Sequence, residues 1–225
     1  MADPGGLHEL RGWGRTAPVM SMTVPATADQ VPALLRTAGP RGVTARGLGR
    51  SYGDAAQNAG GSVLLPITGP TRIEGDHVVA AAGTSLHDLI RALLACGRFL
   101  PVTPGTRYVT VGGAIACDVH GKSHHRVGTF GAHVRYADLV TPDGETHRIG
   151  PEDEPELFWA TLGGMGLTGV VTSAALRTIP VETGWMRVDT GRYGDLGTLM
   201  AAMRESDDDW TYSVAWVDTV SGGRA

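Results

Sequence analysis

The sequence predicts an α+β fold, and three observations carry that reading. Strand-like segments and tight Gly-Asp or Asp-Gly turns mix with helical stripes, without the steady βαβ rhythm of a doubly wound sheet. Two helical stripes begin on capping residues, Thr27 and Ser85. Glycine supplies 33 of 225 residues, about twice the usual ~7%. It shows no collagen-like period, so it marks tight turns and close backbone approach.

Residues 1–20 read as irregular, with Gly12-Trp13-Gly14-Arg15 as a compact turn whose tryptophan plugs the surface. A helix opens at Thr27 with a capping box completed by Gln30. It carries Val31, Leu34, Leu35 and Ala38 on one stripe and stops at Gly39-Pro40. Residues 42–46 read as a short strand that feeds directly into the glycine-rich run 47–54. Another strand covers 62–67, and 71–74 with 77–82 form a hairpin about Gly75-Asp76. Ser85, with Asp88 three residues on, caps a second helix whose inner stripe is Leu86, Leu89, Ile90, Leu93 and Leu94. Gly97 ends it, and Cys96 beside that end reads as a buried thiol.

The stretch 103–125, TPGTRYVTVGGAIACDVHGKSHH, has too many turns and polar groups for periodic core. It reads as main chain shaped to lie against a ligand. After it come a strand over 133–140, a turn at Thr141-Pro142-Asp143-Gly144 and a partner strand over 145–149. A short helix over 154–162 bears Leu157, Phe158 and Trp159, and a long strand covers 168–178. Near Pro180 the character changes. Strands over 185–189 and 211–219 flank a helix over 193–205, and such a unit of ~45 residues is too small for a comfortable core.

Bulk composition excludes several classes. Lys and Arg number 19 against 23 Asp and Glu, so neither nucleic acid nor an anionic membrane is sought by charge alone. Two cysteines make no disulfide framework. No run approaches the ~20 apolar residues of a membrane span, and the N-terminus lacks the order of a signal peptide. These features predict a soluble or peripherally membrane-associated protein.

Three near-miss motifs narrow the ligand. Gly164-Met165-Gly166-Leu167-Thr168-Gly169 spells G-x-G-x-x-G, but a helix precedes it and a strand follows, the reverse of a nicotinamide site. Gly121-Lys122-Ser123 resembles the end of a phosphate-binding loop, yet Ala116 stands where its first glycine belongs. Cys117, His120, His124 and His125 have no second ligand cluster to complete a metal site, and none is expected.

Two stretches together are more specific. ARGLGRSYGDAAQN (45–58) and PGTRYVTVGGAIACDVHGKSHH (104–125) resemble the two flavin-cradling segments of the vanillyl-alcohol-oxidase-type, or PCMH-type, FAD proteins. ELFWATLGGMGLTGVV (156–171) resembles the helix–glycine–strand that closes their flavin domain. The resemblance implies a PCMH-type FAD-binding domain over 1–180. Residues 181–225 then begin a truncated α+β substrate domain, the chain being an N-terminal portion of a longer protein.

Carried over residue by residue, the resemblance puts Ala45, Arg46, Gly47, Leu48, Gly49, Arg50, Ser51, Tyr52, Gly53, Asp54 and Ala55 on one wall of the cofactor site. Gly105, Thr110, Val111, Gly112 and Gly113, then Cys117, Asp118, Val119 and His120, form the other, with Val171 closing it. The chemistry agrees, because a pyrophosphate needs N–H donors and a nest-like loop over 47–54 can offer them in succession. Arg50 adds charge. Gly105, Thr110, Gly112 and Gly113 would supply a second backbone face. Several relatives attach FAD through a histidine where this chain has Arg50; arginine forms no such bond, so the flavin is expected to be non-covalent.

Within the family, the likeness is greatest to oxidases of polyprenyl-phosphate-linked ribose. It implies oxidation of the ribose C2' hydroxyl to a ketone, with a partner NADH-dependent keto-sugar reductase returning the arabinose epimer for cell-wall arabinan. His120 is the catalytic candidate, a histidine able to accept or relay the hydroxyl proton. Lys122, His124 and His125 are further candidates for substrate contact. The lipid-linked substrate fits action at either the cytoplasmic or the periplasmic face of a membrane. Two alternatives stand beside this reading: another sugar, alditol or lactone oxidase of the same fold, and a non-catalytic FAD-binding fragment.

Overall fold

The computed structural model describes residues 5–220; the first residues of the N-terminal segment, where no signal order was expected, lie outside it. The first sheet holds β1 (Gly6–Leu10), β2 (Val19–Val24), β3 (Val43–Ala45) and β4 (Ser62–Leu64) in the order β1-β2-β4-β3. β1 and β2 are antiparallel, whereas β4 runs parallel to both β2 and β3. Helix α1 (Val31–Arg36) lies between β2 and β3 in the chain, after a 3-10 turn over Ala28–Gln30. Thr27 N–H donates to Gln30 Oε1 at 2.9 Å, as the capping box requires.

β1 and the first residues of β2 therefore fall within 1–20, the segment expected to be irregular. The polarity of β2 explains why: Ser21 and Thr23 are buried, while Met20 and Met22 are exposed. The inward hydroxyls are satisfied by backbone, Ser21 Oγ donating to Asn58 O at 2.9 Å and Thr23 Oγ1 to Gly6 O at 3.1 Å. An alternation with polar side chains inward gives no apolar stripe to read. Trp13 is also corrected: it is 55% exposed and stacks under the Arg50 guanidinium, 4.7 Å from the ring centre, instead of plugging the surface.

The second sheet is antiparallel throughout, in the order β5-β6-β10-β8-β9. Its strands are β5 (Arg72–Glu74), β6 (His77–Ala81), β8 (Val134–Val140), β9 (Thr146–Ile149) and β10 (Val170–Arg177). Both expected hairpins form, and β10 is the central strand. Helices α2 (Leu86–Leu94) and α5 (Pro155–Thr161) contribute to the main core, where Leu86, Leu89, Leu93, Leu139, Ile149 and Phe158 are almost wholly buried. A smaller cluster of Val31, Leu64, Ile67, Val140 and Val170 joins the two sheets.

A two-stranded ribbon, β7 (Arg98–Phe99) with β11 (Ile179–Pro180), is too short for a period-2 signal. Cys96 is exposed, not buried, because Gly97, at φ +67°, turns the chain off α2 at that point. Beyond β11 neither expected strand forms; the regular element there is α6 (Leu196–Ser206), capped by Asp195 Oδ1 accepting from Thr198 N–H at 2.9 Å. With no partner strand beside them, residues 185–189 and 211–219 have nothing to complete a ladder.

Glu154 precedes α5 in a left-handed conformation, φ +50°, and its Oε1 lies 2.9 Å from His147 Nδ1. That hydrogen bond raises the His147 pKa above the usual 6.5. A raised native-state value stabilises the fold below the unfolded-state pKa, and the contribution disappears as pH rises through the native value. The melting temperature is therefore expected to fall as pH is raised from ~6, and this component should vanish in His147→Gln. Identical pH–melting profiles for the two proteins would contradict the assignment.

Candidate cofactor-binding site

Segments far apart in sequence meet in a cleft between the two sheets. It is a partly open groove, in contact with solvent along its length. The junction that joins its walls is Ala82-Gly83. Ala82 N–H donates to Thr172 O of β10 at 2.9 Å, and Gly83 N–H to Ile67 O at 2.8 Å. Gly112 N–H in turn donates to Ala82 O at 2.8 Å. A Cβ on Gly83 would meet the Ile67 backbone nitrogen at 2.7 Å, and one on Gly47 would meet Thr110 Oγ1 at 2.5 Å. The walls approach this closely because both positions lack side chains.

The second cradle segment is not a loop at this point. Val111–Ala116 forms helix α3, with Thr110 as its N-cap: Thr110 Oγ1 accepts from Gly113 N–H at 3.1 Å. Val111 N–H donates to Thr84 O at 3.0 Å. The first three N–H groups of α3 are thus all bonded within the protein. Gly112 and Gly113 permit close approach but present no free donors, so the backbone face they supply is one of close packing. Gly-Gly lowers helix propensity by about 1 kcal/mol per glycine; burial of Val111, Ala114 and Ile115 overrides it.

Donors lie on the other wall. Among the described residues, none of the backbone N–H groups from Gly47 to Ala55 donates to a protein acceptor. The loop is nevertheless held: Trp13 N–H donates to Ser51 O at 2.7 Å and Gly14 N–H to Tyr52 O at 3.1 Å. Arg46 clamps it by donating from Nη1 to Ala56 O at 2.8 Å and from Nη2 to Arg11 O at 2.9 Å. Desolvation lowers the Arg46 pKa. Arg50 donates to Leu48 O at 2.5 Å and lies on Trp13. A fixed run of unpaired N–H groups is an anion-binding surface.

The third segment closes the cleft by capping α3. Gly163 N–H donates to Ile115 O at 3.1 Å and Met165 N–H to Ala116 O at 2.8 Å, satisfying carbonyls at the end of that helix. Positive φ at Gly163, Met165 and Gly166 makes this return possible. The G-x-G-x-x-G that fails as a nicotinamide loop therefore has another place: Met165, Gly166 and Gly169 line the cleft.

Of the residues carried over from the resemblance, Ala45, Arg46, Gly47, Thr110, Gly112, Gly113 and Val171 line the cleft. Leu48, Gly49, Arg50, Ser51, Tyr52, Gly53, Asp54 and Ala55 continue the donor loop away from it, and Tyr52 is 78% exposed. Gly105 is exposed, and Val111 is buried in the core. Sequence reasoning missed Leu64, Leu65, Pro66, Ile67, Ala82, Gly83, Ala116 and Thr161, which also line the cleft. Only Gly83, directly after an apolar strand, carried a signal that could have flagged it.

Past α3 the residues diverge in role. Cys117 is exposed, its Sγ 3.8 Å from Met165 Sδ, and partial desolvation pushes its thiol pKa up. Asp118 Oδ1 accepts from Gly131 N–H at 2.7 Å, and Val119 packs on the main core. His120 is exposed, its ring 5.4 Å from that of His124. It follows the cleft-lining Ala116 by one helical turn in sequence and does not itself line the cleft. Lys122 is exposed. Helix α4 (His124–Val127) directs His125 Nε2 to within 3.0 Å of Trp210 O.

Residues 21–150 match the family described as FAD binding domain. The chain belongs to that family and carries its α+β, PCMH-type fold. The donor loop suits a pyrophosphate, and the glycine-lined cleft suits close packing of backbone on FAD.

The chain is 46% identical over 233 residues to the decaprenylphosphoryl-beta-D-ribose oxidase of Mycolicibacterium smegmatis, covering 97% of this chain and 50% of that protein. It is 32% identical to cytokinin dehydrogenase 4 of Arabidopsis thaliana, over 65% of this chain and 30% of that one. It is 31% identical to cytokinin dehydrogenase 5 of Oryza sativa subsp. japonica, over 72% and 34%. The chain spans half or less of the length of these curated relatives. Among the described residues, no helix is long and apolar enough to cross a membrane.

Proposed function

We propose that this chain is the flavin-binding part of an FAD-dependent oxidase that converts the C2' hydroxyl of decaprenylphosphoryl-β-D-ribose to a ketone. The observation that carries the reading is the fixed run of unpaired N–H groups over 47–55, running into a glycine-lined cleft. The 46% identity to the ribose oxidase supports the substrate. Residues 1–180 form the flavin unit and 181–225 open the substrate unit.

FAD, when bound, supplies the hydride acceptor. The 47–55 loop holds its pyrophosphate, and Gly47, Gly83 and Gly112 let backbone lie against it. Arg46 keeps the loop in shape and Arg50 stays on Trp13, so no side chain on this loop bonds covalently to the cofactor. His120 takes the C2' hydroxyl proton, a histidine being able to accept or relay it. Lys122 and His124 contact the sugar or its phosphate. The keto product passes to an NADH-dependent keto-sugar reductase, and a lipid-linked substrate implies peripheral contact with a membrane on its cytoplasmic or periplasmic side.

The test begins with the chain mixed with FAD. Acid precipitation is expected to release all yellow colour into the supernatant; colour retained on the polypeptide would overturn non-covalent binding. In a full-length version that carries the whole substrate unit, anaerobic addition of decaprenylphosphoryl ribose is expected to bleach the flavin, with free alditols inert. His120→Ala in that full-length version should keep its flavin and lose bleaching by at least ~10²-fold. Bleaching at the wild-type rate in that variant would remove His120 from the chemistry.

A further inference from the structure

The segment carrying His120 and Lys122 is tied to the α6 region by bonds from neighbouring residues. Lys122 O accepts from Ser213 N–H at 2.9 Å. His125 Nε2 lies 3.0 Å from Trp210 O. Arg126 Nη1 donates to Asp208 O at 2.6 Å and to Asp207 O at 3.3 Å. Asp207 is the C-cap of α6, so Arg126 places a cation on carbonyls at the negative end of that helix. The Trp210 ring is itself held by Arg187, whose guanidinium lies 5.1 Å from its ring centre.

Four polar or charged residues of the 122–126 run thus divide between two tasks. The Lys122 side chain is exposed and its carbonyl is engaged; His124 is exposed, with its ring against His120; His125 and Arg126 point to the 207–210 turn. α4 has only four residues, too few to be stable alone. Its orientation therefore depends on what it docks against. Ser123 Oγ, buried, donates to Pro101 O at 3.1 Å and anchors one side; the 207–213 segment supplies the other.

We infer that Arg126 and His125 are positioning residues: they latch the His120–Lys122 segment to the C-terminal end of α6, so that the segment 196–213 sets where His120 stands. The inference rests on the proposed role of His120, but the latch itself is read from bonds within this chain. It also removes His125 from the substrate candidates, its ring nitrogen being engaged by a backbone carbonyl.

The experiment uses the full chain in four forms: wild type, Arg126→Ala, Arg126→Lys and, as an independent second cut, His125→Ala. Amide exchange at Ser213 and the ring NMR signals of His120 and His124 are recorded with and without FAD. Arg126→Ala is expected to speed Ser213 exchange at least ~10-fold, roughly the loss of one charge-assisted bond, and to shift both ring signals. Arg126→Lys should restore both in part, and β10 amides should stay unchanged. Wild-type Ser213 exchange in both alanine variants would overturn the latch. Faster exchange with unmoved His120 signals would overturn the positioning role. FAD titration separates this from the broader proposal: a wild-type chain that fails to bind FAD defeats the cofactor reading while Ser213 still reports the latch.

Discussion

Gly112→Val is expected to give a folded protein that no longer binds FAD. A Cβ at this position would lie 3.0 Å from Ala82 Cβ and 3.3 Å from Ala82 O. Valine adds two methyl groups beyond that atom, and its single preferred helical rotamer leaves little choice of direction. The Gly112–Ala82 hydrogen bond that closes the wall must lengthen, or α3 must tilt away from the Ala82-Gly83 junction. Overpacking of this kind costs about 1–3 kcal/mol, offset only in part by better helix propensity. Flavin absorbance per mole of chain should drop to background, with a modest fall in melting temperature. A variant that kept its full flavin content would show that α3 is not part of the cofactor wall.

Phe158→Ala is expected to have the largest effect on stability. The side chain is 1% exposed in the main core and packs edge-on to Trp159 at 5.0 Å between ring centres. Removing it costs about 3–5 kcal/mol, a large share of the ~5–15 kcal/mol typical of a domain. Its consequence reaches the cleft, because α5 leads into the Gly163–Met165 return that caps α3. The urea midpoint should fall sharply, and flavin affinity with it. Trp159→Ala is the control: that residue is 56% exposed and should shift the midpoint far less. Equal shifts in the two variants would contradict the assigned packing.

Much of the second sheet was legible because its strands obey the ordinary rule. β6 is apolar after His77 and β10 is rich in Val, Ala and Leu around Thr172-Ser173, and the Gly75-Asp76 and Asp143-Gly144 turns announce the two hairpins. The first sheet was half hidden, since β2 turns Ser21 and Thr23 inward and hydrogen-bonds them to backbone. The cradle was legible as chemistry before it was legible as geometry. Glycine density marked both walls, but nothing local distinguished a loop that leaves its N–H groups free, 47–55, from a helix that uses its own, α3. That difference depends on Thr84 and Ala82, distant in sequence, as acceptors. The division of labour among His120, His124, His125 and Arg126 was likewise invisible, because it is decided by carbonyls near residue 210.

The central place of β10 bears on how the protein is made. Ser173 pairs with Ala81 on one side and with Asp138 on the other, so three strands made at well-separated times must wait for the last. As the chain leaves the ribosome, β6 stays an open edge and Ala82 N–H has no acceptor until Thr172 emerges. Pairings this distant are slow to form and leave strand edges exposed meanwhile. A nascent chain halted before β10 should therefore be sensitive to protease throughout. Protection should arrive in one step once β10 clears the exit tunnel, and the ability to hold flavin should arrive with it.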